Sequence, residues 1–197
     1  MKDTDENVYS FVNKAIKKLE QDNQGKENPW ARAMLAKLRR GAGKLPGDVP
    51  EVWEITLNDM PEMWRGFRGE PSHEENAVHT ALTLYALHRQ GKDKGVNAKG
   101  VSLGEAASRL IDDQRSNEDA IRRRFNIVAT TSEFSELAYH ARSLVQLLRA
   151  KDVSLDYSRF AQDLYEYQKI GGAERVRLQW GESFYRTTGR ERGKDNE

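Results

Sequence analysis

The residues of this sequence best suited to hold a metal or move a proton lie in one segment, His73, Glu74, Glu75, His79 and His88. A divalent cation needs ligands that converge, and on a helix that means positions three or four apart. His73 and His79 are spaced i to i+6, which at about 100° per residue puts them on different faces, and His79 and His88 stand about half a turn from one another. The acidic pairs Asp112-Asp113 and Glu118-Asp119 flank a helix boundary, where carboxylates accept free amide hydrogens and favour the positive end of the helix dipole. No Gly-x-Ser-x-Gly elbow, Walker loop or dinucleotide fingerprint occurs, and Gly41/Gly43 and Gly171-Gly172 lack the surrounding pattern. With no cysteine, thiol nucleophiles, zinc–thiolate sites and disulfides are excluded. The expectation is a chain with no catalytic residue, no metal site and no cofactor.

Arginine points to a different chemistry. Its guanidinium fork matches phosphate geometry and stays charged at any physiological pH. The net formal charge of +1 conceals an uneven distribution, because between Lys26 and Lys44 the cations Lys26, Arg32, Lys37, Arg39, Arg40 and Lys44 face a single acid, Glu27. On a helix through this stretch Ala31, Met34, Leu35, Leu38 and Ala42 form the apolar stripe, and Arg32, Arg39 and Arg40 fall within roughly 100° of one another on the opposite side. Lys44 follows in the next loop. A second source is the run Arg122-Arg123-Arg124. With Ile121, Phe125 and Val128 facing inward, Arg123 points outward, while Arg122 and Arg124 flank the core on opposite sides, within reach of local ion pairs with Glu118 and Asp119. A third is the helix expected over 132–149, where Phe134, Leu137, Ala138, Ala141, Leu144, Val145 and Leu148 make the stripe and Arg142, Gln146 and Arg149 lie opposite. The candidate nucleic-acid-binding residues are therefore Arg32, Arg39, Arg40, Lys44, Arg123, Arg124, Arg142 and Arg149. Trp30, Trp53, Trp180, Phe125, Phe134, Phe160 and Phe184 fall on or beside apolar stripes, so they are expected in the core rather than as base-stacking platforms. Contact with the nucleic acid backbone is favoured over base reading.

The elements that must carry these residues are helical. Apolar residues recur at helical spacing along the chain, without period-two alternation joined by hairpin turns. The fold expected is all-α, a helical bundle of about eight to nine helices in two packed halves. Helices are predicted near 7–22, 28–41, 52–57, 72–90, 102–113, 117–129, 132–149, 157–169 and 173–187. Asn28-Pro29 caps the second, and Ser72 with Glu75 forms a capping box for the fourth, whose apolar residues spread around most of its circumference. The segment 91–101, rich in glycine and lysine, is predicted to link an N-terminal half, 1–90, to a C-terminal bundle, 102–187, followed by a disordered tail at 188–197.

Composition agrees with this outline: 37% hydrophobic against 32% charged residues suits helices with solvated outer faces. The start, MKDTDENVYSF, is acidic and polar where a secretory signal would be basic and then apolar, and no stretch approaches about 18 apolar residues. A cytoplasmic protein without membrane contact is expected.

Five segments taken in order resemble a known family. They are ARAMLAKLRRGAGKLPGDVPEVWEITL at 31–57, AVHTALTLYALHRQGK at 77–92, SLGEAASRL at 102–110, RRRFNIVATTSEFSELAYHARSLVQLLRAKDVSLDYSRFAQDLYEYQ at 122–168 and VRLQWGESFY at 176–185. Their order and joint presence resemble the CasB family, the small subunit of the type I-E CRISPR Cascade surveillance complex. This chain has His88-Arg89 where the family usually reads His-Gln.

The resemblance implies a non-enzymatic, all-helical subunit of antiviral defence, present in two copies and held by the repeated backbone subunits and the large subunit. It further implies contact with CRISPR RNA, target DNA and the displaced single-stranded DNA, which a basic surface would stabilise in an otherwise nearly balanced strand exchange. Carried over by segment, it singles out Arg39 and Arg40 in LRRG, Arg123 and Arg124 in RRRF, and Arg142. Two rivals remain at this point: a freestanding helical DNA-binding regulator with 117–129 as recognition helix, and a metal-dependent nuclease using Asp112-Asp113 with His79 or His88.

Overall fold

Amphipathic segments with defined caps set most helix boundaries. The computed structural model describes residues 7–20, 22–23, 26–92 and 95–194, with side chains for all of these except 22–23, 26–27 and 189–194. Among the described residues the helices are α1 (Val8–Glu20), α2 (Pro29–Gly41), α3 (Trp53–Thr56), α4 (His73–Arg89), α5 (Leu103–Ser108), α6 (Glu118–Thr130), α7 (Phe134–Ala150), α8 (Tyr157–Tyr167) and α9 (Gly172–Lys194). Single 3-10 turns occupy Pro46–Asp48, Pro50–Val52 and Glu62–Trp64, and a two-residue antiparallel ladder pairs 22–23 with 26–27. The class is all-α, as the periodicity predicts.

Asn28 starts α2 by accepting the Trp30 amide at 3.0 Å, with Pro29 in the first turn where no amide hydrogen is needed. At α4 the predicted capping box is present: Ser72 Oγ accepts the Glu75 amide at 3.0 Å and Glu75 Oε2 accepts the Ser72 amide at 2.9 Å.

Every residue of α4 from Ala77 to His88 is buried, which is what an apolar circumference requires. It packs against α1, α2, α7 and α8. Residues of 1–90 and of 102–187 share one apolar core, so the two halves meet without a gap. The segment between them is tied down rather than loose. Val96 and Val101 are buried, the Ala98 amide donates to the Leu155 carbonyl at 3.1 Å, and the Gly100 amide donates to Asp156 Oδ2 at 2.8 Å. Glycine and lysine content predicts a linker between halves; the valines inside it and the polar atoms of Leu155 and Asp156, just before α8, anchor it to the core. Residues 93–94 of that segment lie outside the described residues.

Two boundaries differ from expectation. The helix predicted over 102–113 ends at Ser108, because Asn117 reaches back to the Leu110 carbonyl and the Asp112 amide and Asp112 holds Ser116, winding 109–117 into turns. The final helix continues to Lys194, so 188–194 is helical where a disordered tail was expected. Thr188 is buried and donates to the Phe184 carbonyl at 3.1 Å, which carries the helix past its predicted end; residues 195–197 lie outside the described residues. At the α5–α9 crossing, a Cβ on Gly104 would run into the Trp180 carbonyl, so glycine is what permits that contact.

Trp180, Phe125, Phe160 and Phe184 are buried as predicted, and Trp30 and Phe134 are half-buried. Trp53 is not a core residue. It is 42% exposed, with its indole Nε1 donating to the Pro46 carbonyl at 3.0 Å, because α3 is a single turn that turns Ile55 inward and Trp53 outward. No described helix is long and apolar enough to cross a membrane.

Candidate nucleic-acid interface

α2 and α7 both lie against α4, and this arrangement positions the basic residues. On α2, Leu38 and Met34 are buried against the core while Arg32, Leu35 and Arg39 look toward the end of α4. Together with Arg89, Gln90, Gly91 and Lys92 they line a groove of about 420 Å³ without a carboxylate among its described lining residues. From α7, Arg149 Nη1 donates to Gln90 Oε1 at 3.0 Å, which brings the last turn of α7 to the same corner. Arg142 lies two turns earlier, about 10 Å along the helix axis. Its Cδ packs on Gly43, 3.1 Å from where a Cβ would stand, and Gly43 adopts φ +80 in the loop after α2, a conformation that favours glycine. Lys44 is the next residue, exposed. Arg32, Arg39, Lys44, Arg142 and Arg149 are thus gathered along the two sides of α4.

Arg40 does not join them. Its guanidinium lies 3.4 Å from Glu51 Oε1, with the two side chains 60% and 52% exposed. The roughly 100° between consecutive helical residues places Arg39 in the groove and Arg40 on the flank facing the Pro50–Val52 turn.

Arg123 and Arg124 are exposed on α6, which packs on α5, α7 and α9. Arg122 pairs with Asp119 at 2.5 Å, and Glu118 is held by Arg115 at 2.7 Å. Arg124, expected at the core edge where a carboxylate could bridge it to a neighbouring helix, is on the solvent side and has no ionic partner among the described residues. Arg39, Arg89, Arg123 and Arg142 likewise have no ionic partner among the described residues.

Arg89 and Lys92 belong to the groove, although neither is among the candidate residues read from the sequence, where Arg89 stands out only as the departure from His-Gln. Arg89 reads there as an ordinary basic residue in a last helical turn, and Lys92 as part of a linker; the one signal pointing to them is their spacing from His88 at the end of a helix predicted to be central.

His79 and His88 are structural. His79 is fully buried beneath Gly41, with its Cε1 3.3 Å from where a Cβ on Gly41 would stand, and burial holds its pKa down at about 4. His88 Nδ1 lies 2.9 Å from the Tyr157 hydroxyl, and burial, assisted by the Lys92 charge, lowers its pKa to about 4. Among the described residues no three His, Asp or Glu side chains converge as metal ligands. Asp112 is engaged by Ser116 through both carboxylate oxygens, at 2.7 and 2.6 Å. The nuclease arrangement of Asp112-Asp113 with His79 or His88 is therefore not assembled.

An all-helical module with a basic groove, lined by no carboxylate among the described residues, is the class that fold and site define together. The chain matches the family model of the CRISPR-associated protein Cse2 over residues 34–185, and it belongs to that family. The crystal structure of CasB from Thermobifida fusca is similar to it with a TM-score of 0.73 at 35% identity, covering 90% of this chain and 97% of that one. At lower identity the fold alone is shared with CasB from M. ruber, TM-score 0.66 at 23% over 93% of this chain and 97% of that one. It is shared also with a chain of a CRISPR RNA-guided surveillance complex, TM-score 0.69 at 19% over 92% and 95%. No curated protein matches the chain by sequence.

Proposed function

We propose that this chain is a non-catalytic subunit of a CRISPR RNA-guided surveillance complex in the cytoplasm, holding nucleic acid by its phosphate backbone. The observation that carries this reading is a groove lined by Arg32, Arg39, Arg89 and Lys92 with no carboxylate among its described lining residues, with Arg149 joined to its edge through Gln90 and Arg142 two turns further along α7. Family membership supplies the setting. The partners are the guide RNA, the target DNA and the displaced strand, with the repeated backbone subunits, the large subunit and a second copy of this chain as protein neighbours. Exchanging a DNA duplex for an RNA–DNA hybrid is close to energetic balance, so a few phosphate contacts on one product are enough to prolong the open state. Lys44 extends the groove, and Arg123 and Arg124 form a separate, weaker contact on α6, with Arg40 at its own flank.

The test compares complexes rebuilt with Arg39, Arg142 and Arg149 all changed to Glu against complexes carrying Arg123→Glu and Arg124→Glu. Each charge-assisted phosphate contact is worth on the order of 1 kcal/mol. The groove triple should speed dissociation of matched double-stranded target at least tenfold at unchanged subunit stoichiometry, and the α6 double no more than about threefold. Full incorporation of the groove triple with unchanged dissociation would sink the nucleic-acid role and leave a scaffolding subunit.

A further inference from the structure

At the corner where α4 ends, two cavities share a wall. The groove described above meets a second of about 550 Å³ lined by His88, Gly91, Lys92, Gly95, Val96, Asp152 and Ser154, and Gly91 and Lys92 belong to both. Positive charge crowds there. Arg39 and Arg89 are half-buried without an ionic partner among the described residues, Arg149 is held 3.0 Å from Gln90, and Lys92, 21% exposed, is fixed by Asp152 at 2.6 Å.

Among the described residues these four cations meet Asp152 on Lys92 and, at the far wall beside Gly95, Glu20, whose Oε1 already accepts the Tyr85 hydroxyl at 3.0 Å. The cations outnumber the carboxylates and repel one another, and partial desolvation deepens that penalty unless an anion enters. The carbonyls ending α4 disfavour an anion, so the attraction has to come from these side chains. Gln90 adds a donor: with its Oε1 occupied by Arg149, its amide NH2 is left over to donate. Gly91, at φ +70 with nothing within 4 Å of a would-be Cβ, lets the backbone turn away and keeps the corner open. A volume of about 420 Å³ is that of a site for a small molecule, enough for one nucleotide unit and more than a bare phosphate fills.

We propose that Arg39, Arg89, Lys92 and Arg149 with the Gln90 amide form a phosphate subsite that seats one phosphodiester of single-stranded nucleic acid at the α4 corner. The subsite rests on the nucleic-acid reading above and deepens it, by giving the strand a fixed point rather than a diffuse basic face. His88 stands behind it as a neutral ring at pH 7, so the charge of the subsite is constant between about pH 6 and 8.

The probe is a 20-residue oligothymidylate bound by the full chain, measured at two salt concentrations for the wild type, for Arg89→Gln/Lys92→Gln and for Arg123→Gln/Arg124→Gln. The corner double should bind at least fivefold more weakly. Its log K against log salt should flatten by up to about 1.4, at about 0.7 for each single-strand phosphate no longer neutralised. The α6 double should change less than threefold. Arg89→Gln alone, which breaks no hydrogen bond of the fold, should flatten the slope by about half as much and serves if the double melts early by circular dichroism. Unchanged affinity and slope in the corner variants, beside salt-dependent binding by the wild type, overturns the subsite and leaves the broader reading standing. No salt-dependent binding by the wild type overturns both. Inorganic phosphate at about 10 mM and constant ionic strength should not displace the oligonucleotide, since a bare phosphate fills little of the groove; displacement that needs Arg89 would make this a free-phosphate site and overturn the assignment.

Discussion

On α6 three consecutive arginines diverge, whereas between α2, α4 and α7 cations far apart along the chain converge. Arg122 folds back onto Asp119 and Arg123 and Arg124 fan out over solvent, because neighbours on a helix are separated by about 100°. Arg32, Arg39, Arg89, Lys92 and Arg149 come from three helices and a turn, and the packing of α2 and α7 against α4 brings them to one corner. Density in the sequence therefore says little about density on the surface of a helical protein. What concentrates charge is which helix faces share a seam, and that is decided by the apolar side of each helix.

The comparison breaks first if the seam is not rigid. Leu144, buried on the inner face of α7, helps hold the helix that carries Arg142 and Arg149. Leu144→Ala should lower stability by about 2–5 kcal/mol in urea denaturation, the range for a buried leucine truncation. A change below about 0.5 kcal/mol would mean that α7 does not depend on this face, and the groove would lose its physical basis.

Acid sharpens the contrast between the groove side of α4 and the α8–α9 side. His79 and His88 lie under α2 and the groove corner with pKa values near 4, so the unfolded chain binds more protons than the native one between pH 4 and 6.5. Their contribution is present above the unfolded value and is lost as pH falls through the folded one. Asp163 acts in the opposite sense. Buried beside Trp180 Nε1 at 2.7 Å, it has a pKa raised by burial to about 6, so its native form takes up a proton in the same window and offsets part of that decline. With two histidines against one aspartate, stability should fall by about 3 kcal/mol from pH 6.5 to pH 4. Asp163→Asn should steepen that fall to about 5 kcal/mol, because the opposing proton uptake is removed. Denaturation midpoints that stay level or rise on acidification would contradict the burial of both rings.

Most of the scaffold follows from local chemistry that a sequence displays. Caps at Asn28 and Ser72, the stripe on α7 and the apolar circumference of α4 each act within a few residues, and each is found where its pattern places it. The misplacements arise where a side-chain or backbone partner outside the helical pattern decides. Trp53 faces out of the single turn of α3 and gives its indole hydrogen to the Pro46 carbonyl, the 91–101 segment is anchored by residues 155–156, and 109–117 is wound by Asn117. The candidate site divides in the same way. Orientation away from the core is readable for Arg32, Arg39, Arg142 and Arg149 from their own helices. Their grouping with Arg89 and Lys92 is not, since it depends on how α2 and α7 seat on α4.

The smallest effect tests the comparison at its finest spacing, between two residues adjacent in the chain. Arg39 lines the groove without an ionic partner among the described residues, while Arg40 leans to Glu51 across 3.4 Å in a pair that is more than half exposed on both sides. An exposed pair of this kind contributes about 0–1 kcal/mol, since solvent screens it and both side chains lose freedom in making it. Arg40→Ala should therefore shift stability by no more than about 0.5 kcal/mol. It should also change oligothymidylate affinity by less than twofold, because the nearest anion to its guanidinium is a carboxylate of the protein itself. Arg39→Ala should weaken the same binding about threefold or more and flatten the salt dependence by about 0.7, the value of one neutralised single-strand phosphate. Isothermal titration of both variants at two salt concentrations separates the cases. Equal weakening by Arg39→Ala and Arg40→Ala would show that binding follows the local density of arginine along α2, and the seam between α2, α4 and α7 would no longer define the interface.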